Sequence, residues 1–197
     1  MLRRIMLGAL AVALPVGLLT VVVAPNLAAA ASVATTGTGQ YKCSNITGTI
    51  TFSPPLTLTS SGTVTETTKI KSSSSGCTGG SPAVASSTGS ENEAATGKGL
   101  GNCKSLFNHK AAEPDLTTKY SNGASNSTIE GGASSGTAPN GNAEFVIEDA
   151  TVTGSYPSKK ADLTAVLSVT PDQIGAKCGS AGGLSKLTIV SGTSSHI

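Results

Sequence analysis

The chain of 197 residues contains no tryptophan, only three tyrosines and three phenylalanines, and two histidines. Few rings mean few stacking platforms for sugars. A glycosidase also needs two carboxylates facing each other across a cleft. The shortage of histidine limits Ser-His-Asp chemistry, in which the imidazole is the general base. His196 is penultimate and is expected to fray, which leaves His109. Arginine is confined to Arg3 and Arg4. From residue 32 onward there are eleven lysines against eleven acids, so the net charge is zero. Nucleic-acid binding draws on a basic patch and guanidinium forks, so nucleic acid is not an expected partner. The four cysteines are separated by 34, 26 and 75 positions with no C-x-x-C pair, which argues against zinc. No D-x-D-x-D-G calcium loop or phosphate-binding glycine loop is present. The reading therefore assigns no catalytic residue, cofactor or metal ligand.

One long apolar run is present, at the start. Arg3 and Arg4 precede an apolar stretch from Ile5 to Ala24, and Ala29 and Ala31 stand where a signal peptidase reads small residues. Residues 1–31 are read as a signal peptide cleaved before Ser32. The alternative is an uncleaved helix that tethers the domain, since about twenty apolar residues can span a bilayer. The strongly apolar run suits the general secretory route better than a twin-arginine one. Residues 32–40 read as a flexible lead-in, and residues 41–197 as a single domain with no further apolar run, hence no membrane partner once the leader is removed.

What remains is polar and small. Of the 166 residues from Ser32, 74 are Ser, Thr or Gly, and 28 are Val, Ile, Leu or Phe. That core is thin, so covalent staples matter. In an exported chain, Cys43, Cys77, Cys103 and Cys178 are expected to form two disulfides. The clearest strand, Cys43 to Phe52, puts Ile46, Gly48, Ile50 and Phe52 on one face and Thr47, Thr49 and Thr51 on the other. Pro54 and Pro55 should stop its ladder. A second strand runs from Thr63 to Lys71. A turn centred near residue 60 brings Cys43 opposite Cys77 in an antiparallel hairpin, which leaves Cys103 to pair with Cys178.

Further on, Ser72 to Gly80 reads as a loop, Ala94 to Leu100 as a weak strand and Asn102 to Phe107 as a short apolar node. Strands are expected over Asp115–Ser121, Ser127–Glu130, Ala143–Gly154, Leu163–Val169 and Leu184–Val190, with a bulge at Glu148-Asp149. Gly131 to Asn142 reads as a long flexible connection, Tyr156 to Lys160 as a turn and Pro171 to Lys177 as one helical turn. Many short strands with glycine and proline turns indicate an all-β fold, a single-domain antiparallel β-sandwich or Greek-key barrel.

Three patterns resemble chemistry. Gly132-x-Ser134-x-Gly136 fits the nucleophile elbow, but no apolar strand precedes it and no helix follows. His109 lies near Glu113 and Asp115 in a polar stretch. The paired acids Glu91/Glu93, Glu113/Asp115 and Glu148/Asp149 read as solvated loop charge. A gathering of Glu113, Asp115, Glu144, Glu148 or Asp149 with His109 in an apolar cleft would favour an enzyme.

The run from Cys43 to Leu56 (C-x-x-I-T-G-T-I-T-F-x-P-P-L), the cysteine at Cys77, and Gly182-Gly183-Leu184 with Leu187, Ile189 and Gly192-Thr193 together resemble a group of uncharacterised exported actinobacterial proteins with an all-β domain. The likeness covers most of the chain after the leader. It departs at Thr118-Lys119-Tyr120, where that pattern often carries tryptophan. It implies a secreted β-fold and no activity. The expectation is thus a secreted, non-enzymatic binding or cell-envelope surface module for an extracellular or cell-wall ligand of unknown identity. The alternatives are a secreted hydrolase or glycan-active enzyme using a carboxylate pair, and the membrane-tethered domain above.

Overall fold

The computed structural model describes residues 35–59, 62–98, 100–106, 116–131 and 133–197. Residues 1–31, read from sequence as a signal peptide, and His109, Glu113 and Asp115 lie outside them. The described elements, in chain order, are β1 (Thr38–Leu56), β2 (Thr63–Ser81), β3 (Ser87–Lys98), α1 (Cys103–Leu106), β4 (Leu116–Tyr120), β5 (Ser127–Glu130), β6 (Ala133–Thr137), β7 (Ala143–Gly154), β8 (Ser158–Leu167), α2 (Pro171–Cys178) and β9 (Leu184–His196). The protein is all-β.

Hydrogen bonding runs β5-β4-β3-β2-β1-β9-β8-β7-β6, and a further pairing of β5 with β7 closes the ring. Eight antiparallel strands thus form a closed barrel, with β6 paired along the other half of the same edge of β7. Neighbours in the ring are neighbours in sequence except where β9 returns to β1 and where β5 meets β7. The sequence left a β-sandwich or a Greek-key barrel open, and the described strands bear out the antiparallel all-β class. Most of these neighbours are joined by short connections, while α1 lies between β3 and β4 and α2 between β8 and β9.

The hairpin of β1 and β2 has the expected register. Cys43 faces Cys77, Ile50 faces Ile70, and the ladder ends at Ser53↔Thr67, next to Pro54. Both disulfides pair as the hairpin geometry indicated, Cys43 with Cys77 and Cys103 with Cys178. The two prolines do not end the strand, which continues to Leu56 and rejoins β9 at Leu184 after a register shift.

Several boundaries differ from the sequence reading. Ser72 to Gly80 is strand, because β1 offers ladder partners along it, as in Ser73↔Thr47, and β3 adds a second row as far as Ser74, as in Ser72↔Gly89. A weak local preference yields to two rows of backbone hydrogen bonds. β9 likewise runs beyond Val190 to His196, held between β1 and β8. The glycine-rich connection contains β6, and Ser158, read as turn, opens β8. The lead-in is described from Thr35 onward. Thr35 bridges Ala124, Tyr156 N donates to the Gly37 carbonyl, and β1 begins at Thr38. The helical turn extends to eight residues, with Pro171 in its first turn and a reciprocal capping box between Thr170 and Gln173.

Side-chain direction changes partway along the barrel. β1 buries the even positions Ile46, Ile50 and Phe52, then the odd positions Cys43 and Tyr41. β9 buries Leu187 and Ile189, then Ser194 and His196. Gly76 on β2 stands level with this change and has φ 62°, a backbone conformation that glycine accepts without a Cβ clash. On β7 the expected bulge is present: the register shifts between Ile147 and Ala150, and Asp149 has φ 53°.

The core falls into three clusters. Leu56, Cys103, Leu106, Leu167, Ile174, Cys178 and Leu184 pack beneath the two helices at one end, continuous with Ile46, Ile50 and Phe52. Leu116, Ile129, Ile147, Ala150, Val152 and Ala161 line the β4–β5–β7 side. Tyr41, Cys43, Val84, Tyr120, Ala124 and Tyr156 gather at the other end.

Candidate ligand cavity and the tyrosine–histidine plug

A barrel of eight strands has room inside for packed side chains or for one small ligand. Here the filling is incomplete. A cavity of about 180 Å³ lies among Ile46, Ile50, Phe52, Ile70, Phe145, Leu163 and Ile189. Close packing is the rule in protein interiors, so a void of this size is a feature to be explained.

One wall of the cavity is acidic. In the β2–β3 register, Thr68 faces Glu93, Ile70 faces Glu91 and Glu66 faces Ala95, and all six residues line the space. Glu66 is 8% exposed and fixed: Gly101 N donates to its Oε2 at 2.6 Å, and Thr68 Oγ1 donates to Oε1 at 3.2 Å. Lys69 and Lys71 alternate to the opposite, exposed face of β2. No lysine, arginine or histidine is among the described lining residues.

The same wall reaches the outside. β4 pairs with β3 only from Ser87 to Ser90, so Glu91 to Lys98 have no described strand on that edge. There a second void of about 520 Å³ is bounded by Ile70, Lys71, Ser90, Glu91, Asn92, Glu93 and Thr117. Successive residues of a strand point to opposite faces. A void touching Ser90, Glu91, Asn92 and Glu93 therefore wraps the strand edge. Glu91 and Glu93 border both spaces.

Glu91 and Glu93, read as solvated loop charge, lie on a strand and not in a loop; Glu93 is exposed and Glu91 half-buried, and both border the cavity. Glu148 and Asp149 are exposed at the β7 bulge, where Asp149 N donates to Asp162 Oδ1 at 3.1 Å, and Glu144 is on the face of β7 opposite Phe145. They do not gather in a cleft. Ser134 sits within β6, and its hydroxyl donates to the Val146 carbonyl at 3.4 Å. A strand interior is not the strand-to-helix elbow that exposes a nucleophile. Among the described residues no group of three His, Cys, Asp or Glu is placed to hold a metal ion.

The opposite end is sealed by residues the sequence reading passed over. All three tyrosines and His196 meet there. The Tyr41 hydroxyl lies 2.9 Å from His196 Nε2 and 3.4 Å from the Tyr120 hydroxyl. Tyr120 donates to Ser127 Oγ at 2.9 Å, and Ser127 Oγ donates in turn to the Ser155 carbonyl. Tyr156 donates to the Pro82 carbonyl at 2.7 Å and accepts from Asn122 Nδ2 at 2.6 Å. The rings pack edge to face, with centroids 4.7 Å apart for Tyr120–Tyr156 and 5.3 Å for Tyr41–Tyr156.

His196, expected to fray, is 2% exposed. Two ladders hold it, Tyr41↔His196 and Ala161↔His196. Burial pushes its pKa down to about 4, against a smaller opposing effect of the Tyr156 backbone. Burial also drives the Tyr41 hydroxyl far above its ordinary value, and raises that of Tyr120 against its hydrogen bonds with Ser127 and Tyr41. Displaced in these directions, Tyr41, Tyr120 and His196 are uncharged at pH 7. The only sequence signal for it was the spacing of Tyr41 two residues before Cys43, which places both on one face of a strand.

Comparison of the chain with protein-family models, with curated proteins and with solved structures gives no match.

Proposed function

We propose that this is an exported, non-catalytic binding module whose barrel holds a small, largely apolar molecule from the extracellular or cell-wall surroundings. The observation that carries this reading is the cavity of about 180 Å³ walled by Ile46, Ile50, Phe52, Ile70, Phe145, Leu163 and Ile189. An engineered apolar cavity of about 150 Å³ stays dry and takes up benzene, so this volume suits a body of about one aromatic ring. Two disulfides fit an oxidising compartment. The apolar leader of the sequence fits export. The barrel is apolar inside and rich in Thr, Ser and Lys outside, the reverse of a membrane-spanning barrel. A hydrolase or glycan-active role using a carboxylate pair has weaker support. Glu91 and Glu93 are two residues apart on one strand and stand side by side. A glycosidase pair stands across the substrate.

The test is a titration with toluene followed by methyl and amide NMR. Shifts are expected at Ile50, Ile70, Leu163 and Ile189. Filling the space with Ala165→Leu, or with Ala95→Leu from the other wall, should abolish them. A wild-type protein whose cavity methyls stay unmoved at saturating toluene would sink the reading.

A further inference from the structure

Resting on the cavity reading above, we propose that the natural ligand is amphipathic and cationic, an apolar body of about one ring bearing an amine or ammonium group that sits at Glu91 and Glu93. Three independent features converge on this chemistry. The first is sign. Every charged group among the described residues lining the cavity is a carboxylate, Glu66, Glu91 and Glu93; Lys69 lies on the opposite face of β2, and Lys71 borders only the outer void. Low-dielectric walls strengthen such a field inside a cleft. Since the chain after the leader is electrically neutral, this negative potential is local to the cavity.

The second is position. Glu66 is tied to Gly101 N deep in the wall, whereas Glu91 and Glu93 border both the cavity and the outer void. A molecule whose ring lies among Ile50, Ile70 and Leu163 would place a charged head at that rim, where it keeps contact with water. Full burial of an unpaired ammonium is too costly, and the rim avoids it. The third is the presence of Phe52 and Phe145 in the same lining. Aromatic faces attract cations and repel anions. An anionic ligand of equal size meets the carboxylates and is disfavoured.

The experiment compares benzylamine, benzyl alcohol, benzoate and toluene, one ring with four different heads, by NMR titration at neutral pH. Benzylamine should bind roughly tenfold more tightly than benzyl alcohol, the scale of one charged hydrogen bond, and benzoate should bind most weakly. In Glu91→Gln/Glu93→Gln, benzylamine should fall to the level of benzyl alcohol while toluene binds as in wild type. High salt should narrow the benzylamine advantage in wild type only. Equal binding of benzylamine and benzyl alcohol with toluene bound, or a preference that survives the double substitution, would overturn the cationic assignment and leave the cavity reading standing. Failure of toluene itself to bind would overturn the cavity reading and this inference with it.

Discussion

Acid should loosen this protein through a single buried imidazole. His196 is 2% exposed and its pKa is pushed from the ordinary 6.5 to about 4. The unfolded chain therefore binds a proton between these two values that the folded chain refuses. Stability rises with pH wherever the unfolded state holds more protons, so the neutral His196 contributes fully above about pH 6.5 and its contribution drains away as pH falls toward about 4. The whole effect is the pKa gap at 1.36 kcal/mol per unit, about 3 kcal/mol. Between pH 7.5 and pH 5, a range that spares most carboxylates, the same linkage gives a loss of about 2 kcal/mol. The assay is urea unfolding at those two pH values for wild type and for His196→Gln, which keeps a polar group near Tyr41 without the titration. Wild type should lose about 2 kcal/mol more than the variant over the interval. Because the chain has only two histidines, NMR titration of the imidazole protons gives the His196 value directly, even if the variant folds poorly. An identical pH loss in both proteins, or an imidazole that titrates near 6.5, would refute the argument.

Further outcomes follow from the same geometry. Replacing either cysteine pair by serine should cost about 2–4 kcal/mol in denaturant unfolding, and peptide mapping of the unreduced protein should recover only Cys43–Cys77 and Cys103–Cys178. In Gly48→Ala the new Cβ would stand 2.2 Å from the Lys71 carbonyl oxygen. Overpacking against backbone should lower stability by about 1–3 kcal/mol, whereas Gly62→Ala, with open space around it, should leave the unfolding midpoint within the range of ordinary surface changes. Glu66→Ala removes the acceptor of Gly101 N, and the stranded donor should cost about 1–3 kcal/mol together with faster amide exchange at Gly101.

Much of the fold follows from local chemistry. Alternation in Cys43–Phe52 and in Ala143–Gly154 placed two strands, the Glu148-Asp149 interruption placed a bulge, and the hairpin centre paired four cysteines. Each depends on period-two side-chain direction and on a turn that brings its two flanks together, both properties of short stretches of chain. The polar strand Ser72–Ser81 and the end of β9 were not legible, since it is backbone hydrogen bonds to neighbouring strands, and for β9 to the distant β1, that hold them and not their own side-chain pattern.

The candidate site was less legible still. Glu91 and Glu93 carry the same acids whether they lie in a loop or on the wall of a barrel, and only the pairing of β2 with β3 turns them toward Ile50 and Phe145. His196 is two residues from the end of the sequence, and only the return of β9 to β1 buries it against Tyr41. By itself the sequence determined an all-β chain, its hairpin register and its covalent staples, because these arise from local periodicity and turn geometry. Tertiary structure alone decided that the ring of strands closes around an apolar cavity and that acids and tyrosines face inward, because the ring needs β9 to return to β1, a pairing of residues more than a hundred positions apart.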